Sequence, residues 1–180
     1  ESKRILDKCR TTVNKEPSKN PRPSTIFLDN IYMSEHSPIR EKLFDIHIEG
    51  IPYAISTHFA RHHEGWEKYV STSRSDRTDI KDRSKRSQMD LVNMDITANS
   101  QGLINVSKVR LCWCADKDAR KVMFEIVKQI KELEPELGSK LVPSCVYRGF
   151  CSENNKDCGY SREFLRKWRE EYLNGREQLI

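Results

Sequence analysis

Apolar and polar positions change period several times along the chain, and each change marks an element. From Leu43 to Ile48 they alternate, with Phe44, Ile46 and Ile48 on one face and Asp45 and His47 on the other, the pattern of a half-buried strand. Gly50 turns that strand. After it, Ile51, Ala54, Ile55, His58 and Phe59 fall at helical spacing, and Pro52 suits a first helical turn, so Pro52 to about His63 reads as a mostly buried helix. Thr97 reads as the cap of a second helix with Leu103, Val106 and Arg110 on a shared stripe. Asp116 caps a third, in which Val122, Met123, Ile126, Val127, Ile130 and Leu133 follow i, i+3, i+4 spacing and Pro135 lies just beyond the end. Ser161 to about Leu173 repeats the pattern with Phe164, Leu165, Trp168 and Tyr172.

Two stretches lack any apolar period. Residues 11–24 carry three prolines and few apolar groups and are expected to run as an extended connector. Ser71 to Gln88 interleaves Arg74, Arg77, Lys81, Arg83, Lys85 and Arg86 with Ser, Thr and Asp, and reads as a solvated loop whose first residues can still line a site. The expected fold class is α+β, a single helix-rich domain with a small antiparallel sheet. Its segments are an N-terminal piece with a Pro-rich connector (1–25), a core (26–142), and a cysteine-containing turn region with a C-terminal helix (143–180).

A chain of 180 residues can bury roughly 70% of its unfolded surface without disulfides or metal. A third of the residues are charged and mean hydropathy is −0.77, so the core is lean. The net charge of +5 suits anionic ligands without singling out nucleic acid. No apolar run approaches membrane-spanning length and no leader-like segment opens the chain, so the expectation is a soluble, unexported, cytoplasmic protein, the host cytoplasm for a viral chain. With seven glycines and no glycine-rich phosphate loop, a nucleotide would be held by side chains and helix ends.

Candidate chemistry concentrates in Arg61 to Arg74, which sets two adjacent histidines, a hydroxyl pair and two guanidiniums just after an apolar segment. On a helix, His62 and His63 point about 100° apart, so a single one faces any pocket. The second stretch is Asn99 to Arg110. Gln101 and Asn105 lie one helical turn apart, amides of that kind can pair with a pyrimidine edge, and an arginine can fork onto a phosphate or ring carbonyl. Taken alone, each stretch is also compatible with ordinary polar surface.

The order Ser37-Pro38-Ile39, the strand to Ile48, Phe59-Ala60-Arg61-His62, Ser71 and Arg74, and then Asn99 through Arg110 resembles flavin-dependent thymidylate synthase, from about Ser34 to Val127. That resemblance implies the family's fold and FAD-dependent, NADPH-regenerated methylation of dUMP with methylenetetrahydrofolate, in a homotetramer with sites at subunit interfaces. It implies cofactor contacts at Ser37, Arg61, His62, Asn99 and Asn105, substrate contacts at Ser71, Arg74 and Arg110, and catalytic roles for Ser71 and Arg110. The chain departs from the family pattern at His63 and Gln101, where arginines are expected, at Lys68-Tyr69, and at Arg40, where a glutamate is expected. Two other classes stay open: a pyrimidine-nucleotide-binding protein without turnover on the same scaffold, and a basic nucleic-acid-associated protein using Arg74 to Arg86. The sparse aromatics of that run argue against base stacking.

Five of the six cysteines fall in the second half: Cys112, Cys114, Cys145, Cys151 and Cys158. Thiolates at such spacings can close a tetrahedral zinc or iron–sulfur site that ties the C-terminal segment to the Arg110 helix; the alternative is free thiols packed as small hydrophobes.

Overall fold

Strict alternation builds the centre of the molecule. The computed structural model describes residues 2–20, 22–154 and 157–176. In β3 (Leu91–Asn99), Val92, Met94, Ile96 and Ala98 point into the core while Leu91, Asn93 and Asp95 face out. β3 pairs antiparallel with β1 (Leu43–Pro52) on one side and with β2 (Trp66–Val70) on the other. Among the described residues the sheet has three strands in the order β1-β3-β2. The β1 alternation is as the sequence implies: Phe44, Ile46 and Ile48 turn inward and Asp45 and His47 outward. On the outer face His47 pairs across the strands with Asp95 and, at 3.2 Å, with Glu49 of its own strand. Those two partners, Asp95 first, raise the His47 pKa.

Around the sheet lie α1 (Ser2–Thr11), α2 (Thr25–Ser34), α3 (Tyr53–Ala60), α4 (Ser100–Arg110), α5 (Lys117–Leu133), α6 (Pro135–Gly138), α7 (Ser144–Arg148) and α8 (Arg162–Leu173). The α+β, helix-rich class is therefore observed. Asp116 caps α5 by accepting from the amides of Asp118 and Ala119, and α8 starts on a Ser161 cap, both where the sequence places them. Residues 71–88 hold only a short 3-10 turn, Arg83–Lys85.

Two helix starts move. The strand does not stop at Gly50. Ile48 pairs with Met94 and Ile51 with Val92, so Glu49 and Gly50 together oppose Asn93 in a bulge, and the strand resumes to Pro52. Pro52 is tolerated because β1 is an edge strand in the described sheet. Helix α3 therefore begins at Tyr53 and ends at Ala60, leaving His62 and His63 in the turn beyond it and not on a helix. Likewise Thr97 is in β3, and the cap of α4 is Asn99, whose side chain accepts from the Gly102 amide. Pairing with β1 and β2 holds 97–99 extended, overriding a local helical pattern. The α1 and α2 helices were not evident from periodicity, although Ile5 and Tyr32 are fully buried in the main core.

Buried charges fasten the C-terminal part to this frame. Lys140, 1% exposed, pairs with Asp29 at 2.6 Å and donates to the Tyr172 carbonyl, while Arg176 pairs with Asp29 at 2.7 Å. Burial raises the Asp29 carboxyl, but these two cations outweigh it and hold the group below its ordinary value. Lys42 reaches Glu134 at 2.7 Å, and Tyr32 and Ser2 donate to the same carboxylate. Among the described residues no helix is long and apolar enough to cross a membrane.

A methyl group at Gly102 would lie 2.1 Å from the Gly65 carbonyl oxygen, a backbone atom, whereas one at Gly50 meets nothing within 4 Å and only the positive φ of 63° resists it. Gly102→Ala is expected to destabilise the fold by about 2–3 kcal/mol or more through overpacking, and Gly50→Ala by about 1–2 kcal/mol. Urea unfolding of the two variants checks the order, and equal midpoints would refute the close approach.

Candidate functional site

The site is built where the turn after α3 runs alongside α4. Arg61 closes α3, the His62 amide bonds back to the Phe59 carbonyl, and Gly65, at φ 62°, turns the chain into β2. The Asn99 amide donates to the Gly65 carbonyl at 2.9 Å, and Gly102 lies against the same carbonyl. Residues 62–65 thus lie along α4, with Gly65 at its N-terminal end and His62 at its C-terminal end.

His62 is half-buried, with its ring edge on Trp66, and its Nε2 accepts from Arg110 Nε at 3.0 Å. Burial, and then the charges of Arg110, His63 and Lys68, push its pKa down to about 4. The imidazole is therefore neutral near pH 7, as an acceptor toward a guanidinium must be. Burial lowers the Arg110 pKa too, followed by the charge of Arg61. Lys68 fixes the turn by donating to the His62 carbonyl at 2.7 Å and contacting His63 Nδ1 at 2.9 Å. His63 is exposed, so His62 is the inward member of the pair, as expected, although the reason is a turn and not a helix.

At the other end of α4, a cavity of about 280 Å³ is lined by Arg40, Glu64, Gly65, Asn99 and Gln101. Arg40 comes from a 3-10 turn, Ser37–Glu41, which Ser37 opens as an exposed residue. Asn99 lines the cavity while its Oδ1 caps the helix. Gln101 donates to Glu35 at 2.6 Å and to Asn105 at 3.2 Å, and Lys108 reaches Glu35 at 2.7 Å. This chain of polar contacts along one face of α4 includes Glu35 and Lys108, which sequence reasoning missed. The spacing of Gln101, Asn105 and Lys108 was the available signal for one half of it; Glu35, the residue that caps the end of α2, had none. Asn105 and Arg110 do not converge: five residues at about 100° each set them roughly 140° apart around the helix.

Ser71 and Arg74 lie elsewhere. Five residues of β2 at roughly 3.3 Å each separate Ser71 from the Gly65 turn by about 16 Å. The Ser71 hydroxyl accepts from the Asn93 amide and donates to its carbonyl, extending the strand pairing, and Arg74 forks onto Asp76 at 2.9 and 2.8 Å. Ser71 also lines a polar cavity of about 230 Å³ with Tyr53, Ser73, Arg83 and Arg86, the last two from the basic run that the sequence offers as solvated loop or nucleic-acid contact. The predicted residues thus form three groups: Arg61, His62 and Arg110; Asn99 and Asn105 with the turn that Ser37 opens; and Ser71 at the far end of β2.

The five C-terminal cysteines are free thiols, and among the described residues no three His, Cys, Asp or Glu side chains are arranged to hold a metal ion. No known family matches the sequence, and no curated protein matches it.

The lowered His62 pKa has a definite sign. The unfolded imidazole takes up a proton near its ordinary value of 6.5, whereas the folded one resists until about 4. The unfolded state therefore binds more protons across that window, and the stability that neutral His62 provides is lost as pH falls from about 6.5 to 4. His62→Gln is expected to flatten the slope of melting temperature against pH in that window. An unchanged slope would refute a neutral, buried imidazole.

Proposed function

We propose that this protein is a flavin-dependent thymidylate synthase-like enzyme that methylates dUMP with methylenetetrahydrofolate. The observation that carries the reading is the Arg61–His62–Arg110 group, where Arg110 donates to a neutral imidazole and Arg61 lies close enough to Arg110 for its charge to be felt. Two permanent cations and an uncharged acceptor suit a ligand that is anionic and planar, and a bound nucleotide or flavin is both. The amides of Asn99, Gln101 and Asn105 at the opposite end of α4 add ring-edge donors and acceptors, so the pieces suit a ligand as long as a dinucleotide.

Arg61 and Arg110 would hold FAD phosphate or a uracil carbonyl, with Asn99 and Asn105 toward the ring edge. When bound, the reduced flavin supplies the hydride and relays the one-carbon unit. The chain's own part is to bind, orient and stabilise. Arg110, fixed by His62, is poised to stabilise negative charge on a pyrimidine ring. Ser71, with Arg83 and Arg86, offers a second anion-holding group about one strand length away. A complete site then draws on different ends of neighbouring copies, in keeping with a homo-oligomer. The two lost arginines of the family pattern, now His63 and Gln101, weaken phosphate pairing on this chain, and Arg40 beside Gln101 supplies a guanidinium to the same cavity.

The test pairs a visible absorbance spectrum with calorimetry. Purified protein, or protein titrated with FAD, is expected to show oxidised-flavin absorbance and to bind dUMP, with Arg110→Ala weakening dUMP binding roughly tenfold to a hundredfold, the worth of a charge-assisted hydrogen bond. Protein that takes up no flavin yet binds dUMP through Arg110 is a nucleotide receptor without turnover. Protein that binds neither refutes the site.

A further inference from the structure

The two ends of a side-chain amide are alike in shape and opposite in hydrogen bonding, so the partner fixed at one end decides which end a ligand meets. Three amides lie along α4, and each has such a partner. Asn99 Oδ1 accepts from the Gly102 amide at 2.8 Å, a group that can only donate, so its Nδ2 is the end left over. Asn99 and Gln101 line the same cavity of about 280 Å³. Gln101 Nε2 donates to Glu35 Oε2 at 2.6 Å and to Asn105 Oδ1 at 3.2 Å. A carboxylate can only accept. Glu35 therefore turns the Gln101 nitrogen toward itself and, through the second bond, turns the Asn105 oxygen toward Gln101. The ends left over are Gln101 Oε1 and Asn105 Nδ2. From Asn99 to Asn105 the row offers donor, acceptor, donor.

Glu35 is itself held in place. Lys108 Nζ pairs with its other oxygen, Oε1, at 2.7 Å and lies 3.7 Å from the centre of the Tyr147 ring. The Glu35 backbone, at the end of α2, is left-handed with φ 51°, a position that glycine or asparagine usually fills. A glutamate there costs backbone strain, which its side-chain contacts offset.

We propose that Glu35 is a positioning residue that sets the polarity of this amide row, and that the row thereby selects an imide edge, acceptor, donor, acceptor, of the kind a uracil or a flavin ring presents. This role depends on the pyrimidine and flavin site proposed above and adds the residue that orients its amides. O2, N3–H and O4 of a uracil meet the three amides in turn. Cytosine, with a bare N3 and an amino group at C4, sets acceptor against acceptor at Gln101 and donor against donor at Asn105. The polarity can be reversed at Glu35. In Glu35→Gln, Lys108 keeps the carbonyl oxygen, because a lysine only donates, and the new amide nitrogen falls where Oε2 stood. Gln101 then turns its oxygen to that nitrogen and Asn105 follows, which gives donor, donor, acceptor, the complement of cytosine.

Calorimetry with dUMP and dCMP, which share their sugar and phosphate, reads the uracil arm, and fluorescence quenching of lumiflavin and 3-methyllumiflavin reads the flavin arm. Wild type is expected to prefer dUMP over dCMP, or lumiflavin over its N3-methyl form, by roughly tenfold to a hundredfold, the effect of one unpaired buried polar group. Glu35→Gln is expected to move the dUMP-to-dCMP ratio toward dCMP, or to weaken lumiflavin, by about tenfold or more. Glu35→Gly, whose backbone suits φ 51°, frees both amides and is expected to abolish the discrimination. Melting temperatures confirm that each variant is folded. A folded Glu35→Gln protein that keeps the wild-type preference, or a wild type that binds dUMP or lumiflavin without preference, would overturn the role of Glu35 and leave the ligand site standing. A wild type that binds neither ring overturns both.

Discussion

The close passage of Gly65 over Gly102 is the constraint on which the rest of the structure depends. At that point the chain leaving α3 crosses the start of α4 with backbone against backbone, and neither position leaves room for a side chain. Asn99 closes the junction from both directions, donating its amide to Gly65 and capping α4 with its side chain. Because α4 is buried along Leu103, Ile104 and Val106, fixing its N-terminus fixes Arg110 at its far end, and fixing Gly65 fixes His62 three residues earlier. The pairing of imidazole and guanidinium is a consequence of this junction, and a one-residue shift in either segment would separate them.

Charge is distributed in the same spirit. Cations that would be costly to bury alone are placed against carboxylates or carbonyls: Lys140 with Asp29, Lys42 with Glu134, Arg120 on the Trp113 and Ala115 carbonyls. Arg110 is bonded to the neutral His62 ring, and the charge of Asp116 only partly offsets burial and Arg61. Burial and mutual repulsion depress Arg110 instead, leaving a positive, partly desolvated spot that an anion would relieve. Lys140 and Lys42 are matched by carboxylates in direct contact, whereas Arg110 has a neutral imidazole as its contact.

Legibility in the sequence followed the range of the responsible interaction. The β1 alternation, the α5 stripe with its Asp116 cap and the α8 helix with its Ser161 cap could all be read, because each depends on residues within a few positions of one another. The starts of α3 and α4 were misplaced because pairing between β1 and β3, a contact across about forty to fifty residues, overrides the local periodicity at Pro52 and Thr97. Glu35 was invisible for the same reason: its partners Gln101 and Lys108 come from a distant helix.

By itself the sequence determined the α+β class and the residue types available for holding an anion, since composition, alternation and helical spacing are local properties. Only the tertiary structure decided which of those residues meet. It joined His62 to Arg110, turned Asn105 to another face of α4 and put Ser71 a strand length away. Contacts between distant segments are set by how buried faces pack, and one-dimensional spacing does not encode that distance.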